Sequence, residues 1–60
     1  ILDIESIITL QNLLKSKGYD VGKVDGILGA KTRQAVRLVQ IEFGLSADSW
    51  PTNELLRKLQ

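Results

Sequence analysis

From Ile4 to Lys17, the apolar residues Ile4, Ile7, Leu10 and Leu14 recur at three- and four-residue steps. That spacing lays one stripe along an amphipathic helix. Gly18 follows Lys15 and Lys17, a C-terminal stop in which glycine takes the left-handed cap and the lysines meet the negative end of the helix. At the start, Asp3 and Ser6 each suit the N-cap. A second stripe runs through Thr32, Ala35, Val36, Val39 and Phe43, opening at Ala30 with Gly29 as cap and closing at Gly44. In "SWPTNELLRKL", Thr52 is the N-cap, Glu54 falls in the positive first turn, and Leu55, Leu56 and Leu59 make the apolar side. Pro51 keeps the residues before the cap out of a helix. No stretch alternates with period two. The pattern predicts an all-α, compact three-helix module with long inter-helix loops. Its expected core is Ile7, Leu10, Leu14, Ala35, Val36, Val39, Leu55 and Leu59.

The joints carry their own pattern. Asp25 lies four residues before the Gly29 cap, and Asp48 lies four before the Thr52 cap. After each cap come two further positions, the second charged, then Thr32 or Leu55, and later Val36 or Leu59, as a repeat of turn plus helix would give. The second copy lacks the glycines but keeps the Asp and the cap. Asp25 and Asp48 are therefore expected to fix their turns by accepting hydrogen bonds from amides two or three residues on. Gly26 is expected at positive φ, with Ile27 or Leu28 anchoring the turn in the core. Other readings of "VDGILGAKT" are weaker. Its Gly-x-x-Gly is too short for a nucleotide loop and follows no strand. Asp25 also lacks the spaced oxygen ligands and closing Glu of a calcium loop.

Composition narrows the chemistry. Sixty residues allow one domain, and the first residue, Ile rather than Met, suggests a piece of something longer. Cys and His are both absent, which removes disulfides, thiol nucleophiles and the usual zinc ligands. No metal or cofactor is expected. The net charge is +1 with both signs interspersed, so there is no polybasic arm for nucleic acid or a membrane surface. No apolar run approaches a bilayer span. Seven carboxylates are present, but Asp25 and Asp48 belong to turns, and a core this small leaves little room for the buried pocket that raises a carboxyl pKa. A binding module is expected rather than an enzyme.

"LQNLLKSKGY" at 10–19, "VDGILGAKTRQAV" at 24–36, "VQIEFGL" at 39–45 and Asp48 together resemble a peptidoglycan-binding domain, the three-helix module attached to many bacterial cell-wall enzymes. The family pattern of Leu-Gln, Gly-Tyr, Asp-Gly-hydrophobic-hydrophobic-Gly-x-x-Thr, Ala-Val, Gln, Gly-Leu and Asp is met in order. The matching residues include Leu10, Gln11, Gly18, Tyr19, Gly29, Thr32, Gln40, Gly44 and Leu45. Ser49 replaces the glycine of a second Asp-Gly, Thr52 replaces the glycine before the last helix, and Val39 stands where phenylalanine is common. The aromatic-Pro-Thr sequence before the third helix looks most like the module that ends lytic murein transglycosylases. The resemblance implies binding to peptidoglycan, a covalently linked wall-cleaving catalytic domain, and a place in the bacterial periplasm or cell envelope.

Recognition of sugar or peptide uses exposed aromatics backed by polar groups. Tyr19, Phe43 and Trp50 are the three aromatics. Phe43 lies on the buried stripe, Tyr19 follows a helix stop, and Trp50 either plugs the third helix onto the core or presents an edge to a groove. The expected ligand surface joins Tyr19, Arg33 and Trp50, with Ile27 and Gly29 of the first joint close by. Arg33 is placed there because paired Arg33 and Arg37 suit stem carboxylates. Leu38 and Ile41 fall outside the buried stripe and suit contact with another domain. Two alternatives remain: a helix-turn-helix DNA-binding domain, opposed by the near-neutral charge and the long Gly44–Pro51 connection, and a purely intramolecular docking domain.

Overall fold

In the computed structural model, which describes residues 2–60, the chain forms α1 (Ile4–Ser16), α2 (Ala30–Glu42) and α3 (Asn53–Leu59), with no strand among the described residues. Helix α1 packs against both of the others. Asp3 is the N-cap of α1, its carboxylate accepting from Ser6 N at 2.9 Å. Thr52 caps α3 through its hydroxyl, which accepts from Leu55 N at 3.1 Å. Gly29 caps α2 with no side chain to offer. Gly18 and Gly44 end α1 and α2 at φ of 95° and 72°. Beyond them, Tyr19 N reaches Leu14 O and Leu45 N reaches Gln40 O, which turns the chain back over the core.

The core contains Ile7, Leu10, Leu14, Ala35, Val36, Val39, Leu55 and Leu59. Leu2 and Val21, from outside the helices, complete it. Two expectations are corrected. Ile4 is 66% exposed: it is the first residue of α1, and its Cγ2 borders Gly26 of the first joint rather than the helical core. Phe43 is half-buried against the core rather than inside it, since it is already the C-cap of α2.

Three polar residues are buried in this core: Thr32 and two glutamines. Gln11 is fully buried and Gln40 nearly so. Buried amides need partners for each N–H and each lone pair. Those partners lie in the two joints.

Candidate functional site

Gln11 projects from α1 into the first joint. Its Oε1 accepts from Asp25 N (3.1 Å) and Gly26 N (2.9 Å), and its Nε2 donates to Ile27 O (3.0 Å) and Thr32 Oγ1 (3.1 Å). Thr32 passes the chain on by donating to Val21 O at 3.1 Å. Gln40 projects from α2 into the second joint in the same manner. Its Oε1 accepts from Ser49 N (3.0 Å), and its Nε2 donates to Trp50 O (2.9 Å) and Asp48 Oδ1 (3.1 Å). In both turns the aspartate closes a short ring onto the amide two residues ahead: Asp25 Oδ1 with Ile27 N at 3.0 Å, Asp48 Oδ1 with Trp50 N at 2.9 Å. Gly26 (φ 78°) and Ser49 (φ 70°) occupy the same left-handed position. The repeat therefore extends to hydrogen-bond geometry, with Ile27 matching Trp50, Leu28 matching Pro51, and Gly29 matching Thr52. Serine at the left-handed position is unusual for a non-glycine residue. Hydrogen bonds from the Trp50 N–H, and then from the Gln40 amide, hold the Asp48 carboxyl below its ordinary pKa.

The equivalence fixes what each turn shows to solvent. Ile27 is 65% exposed and Trp50 50% exposed, while Leu28 packs against the core. Leu28, not Ile27, is thus the anchor of the first turn. Trp50 stands out from the second turn and lies under Arg33, whose guanidinium carbon is 4.2 Å from the ring centroid. A cation over an indole face is held there by the ring quadrupole. Arg33 Nε is buried and has no hydrogen-bond partner. Among the described residues the ion pair is Lys31 with Asp20 at 3.4 Å, and Arg33 has none. Arg37 instead donates to Ala47 O at 2.9 Å, bracing the second joint.

Beside Trp50 opens an apolar groove of about 410 Å³, lined by Leu2, Ile7, Leu28, Trp50 and Pro51. Leu28 and Pro51 hold equivalent positions in the two turns, so each turn contributes a wall to the groove. Tyr19 lies elsewhere. Its hydroxyl donates to Glu42 Oε1 at 3.2 Å, and its ring borders a second hollow of about 280 Å³ with Asp20, Lys31, Gln34, Ala35 and Leu38. Desolvation, then the Glu42 charge, raises the Tyr19 pKa above its ordinary value. Gly29 and Ile27 border a third hollow together with Asp25 and Lys31. The structure thus brings Arg33 and Trp50 together, and sets Tyr19 in a different hollow from Trp50. Leu38 and Ile41 are exposed.

Sequence reasoning did not single out Gln11 or Gln40 as the residues that hold the joints. Two signals pointed to them: their places in the family pattern, and their shared placement in helices that each precede an Asp-containing turn.

Residues 4–59 match the family described as "Putative peptidoglycan binding domain". The fold superposes on SltB3 from Pseudomonas aeruginosa, in its complex with NAG-anhNAM-pentapeptide, with a TM-score of 0.92 and 49% identity over 98% of this chain and 16% of that one. Its complex with NAG-NAM-pentapeptide gives a TM-score of 0.94 at 48% identity, covering 100% of this chain and 16% of that one. A spore cortex-lytic enzyme from Bacillus cereus is 48% identical over 44 residues, 73% of this chain and 17% of that protein. The N-acetylmuramoyl-L-alanine amidase CwlM of Mycobacterium tuberculosis is 40% identical over 55 residues, 92% of this chain and 14% of that protein. The chain thus spans less than a fifth of the length of each of these relatives. With three helices, two aspartate turns and a family match over nearly its whole length, the chain belongs to the peptidoglycan-binding domain family.

Proposed function

We propose that this domain is a non-catalytic module that binds peptidoglycan and holds a linked wall-cleaving enzyme, a lytic murein transglycosylase, beside its insoluble substrate. The observation that carries this reading is the likeness to SltB3, which extends along nearly the whole chain at about half identity. Tethering acts through effective concentration: modest affinity is sufficient when the catalytic domain is covalently attached and the polymer cannot diffuse away. The module works in the bacterial periplasm or cell envelope, where that polymer lies. The binding surface is the Arg33–Trp50 stack and the groove beside it, with Ile27 and Gly29 of the matching turn as its neighbours. Tyr19 contributes from the second hollow.

The test is co-sedimentation of the chain with purified sacculi, run beside a salt-graded DNA-binding assay. Sedimentation with sacculi and no DNA retention is the expected result. Binding to DNA that weakens steeply with salt, without sacculus binding, defeats the proposal and favours a helix-turn-helix function.

A further inference from the structure

The groove between the two turns has walls of one chemical kind. Leu2, Ile7, Leu28, Trp50 and Pro51 present apolar side chains, and none offers a hydrogen-bonding group apart from the indole N–H of Trp50. A sugar ring lodged there would surrender the hydration of its hydroxyls without replacement, a cost of the kind that excludes unpaired polar groups from apolar sites. Methyl groups carry no such cost. Over the same indole, Arg33 holds its guanidinium carbon 4.2 Å from the ring centroid and has no carboxylate partner among the described residues. Four of the acids are engaged elsewhere: Asp25 and Asp48 in their turns, Glu42 with Tyr19, and Asp20 with Lys31. With Nε buried, the terminal Nη edge is the part of the guanidinium left to meet a ligand. That edge can take a carboxylate end-on through two N–H donors.

We infer that the groove and Arg33 form a single subsite for a short peptide of small apolar side chains ending in a free carboxylate, the chemistry of the stem peptide's terminus and not of the glycan strand. This rests on the proposed peptidoglycan function and specifies which part of the polymer the site reads. Alanine methyls occupy the groove, and the carboxylate passes the edge of Trp50 to reach Arg33. Trp50 is then both wall and clamp: the cation on one face fixes the ring that shapes the groove.

The experiment follows Trp50 emission, which reports this site alone because the chain has one tryptophan. Three probes are titrated: diacetyl-Lys-D-Ala-D-Ala, its C-terminal carboxamide, and peptide-free glycan chains. Saturable change with the acid, binding at least tenfold weaker with the carboxamide, and no change with the glycan are expected. Arg33→Lys, which keeps the charge but not the two-pronged geometry, should lose most of the acid-over-amide preference while melting close to the parent. Equal response to acid and amide, or response to glycan alone, overturns the inference. Sacculus sedimentation is measured in parallel. If sacculi bind and the acid peptide does not perturb Trp50, the subsite is wrong and the peptidoglycan function stands. If sacculi themselves are not bound, it is that function which fails.

Discussion

A β-carbon placed on Gly26 would lie 2.7 Å from Ile4 Cγ2 and 3.4 Å from Ile8 Cγ1, on a residue whose φ is 78°. The contact is the lesser problem, because Ile4 is largely exposed and its methyl can move aside. The backbone angle decides: a left-handed L-residue costs about 1–2 kcal/mol. Gly26→Ala should therefore lower stability by about that amount, or on the order of 4–8 °C in melting temperature per kcal/mol for a domain this small. Ser49→Gly at the equivalent position relieves the same strain, offset in part by the extra freedom of glycine in the unfolded chain. Its melting temperature should hold or rise. Paired thermal melts check both, and a Ser49→Gly variant that melts well below the parent would show the strain argument to be wrong. Gly26 was legible from the Asp-Gly pair, since few residues suit that conformation. Ser49 was not, because serine gives no hint of a left-handed backbone and only the fold, through Gln40, imposes it.

At the scale of elements, each joint is held by the helix before it. Removing the Gln11 side chain leaves the amide of buried Gly26 and the hydroxyl of buried Thr32 short of a partner. A buried group stripped of its partner costs about 1–3 kcal/mol. Gln11→Ala should therefore destabilise by more than a surface substitution does, and by more than Gln40→Ala, whose amide holds fewer groups. Urea unfolding of the two variants measures the difference, and equal midpoints would contradict it. The helices themselves were legible: Gly29 and Thr52 as caps, Gly18 and Gly44 as stops, and the apolar steps between them. What holds the joints was not. A glutamine inside an amphipathic helix reads as surface, and its burial becomes apparent only when a loop 12 to 16 residues further along folds back onto it. For the same reason, Arg33 and Trp50 were placed together as ligand candidates while their stacking went unforeseen.

For the whole molecule, sixty residues correspond to about 3–9 kcal/mol of stability at 0.05–0.15 kcal/mol per residue. Leu14 is wholly buried where α1 meets the other helices. Leu14→Ala should cost about 2–5 kcal/mol, a share large enough to unfold much of the population at ambient temperature. Circular dichroism at 25 °C with a urea series checks this, and a variant with unchanged midpoint would show the core to be more forgiving than its packing implies. The radius of gyration, 9.8 Å, is close to the roughly 10 Å expected for a compact chain of this length, although the joints and termini account for nearly half of it. Long loops usually inflate a domain; these are drawn in by Gln11 and Gln40. The consequence reaches past stability. A loop whose amides are already spoken for from within has surrendered its conformational freedom at folding, so little disorder remains to be lost when something meets its outer face. Recognition at such a surface is decided by shape and chemistry rather than by the cost of going still.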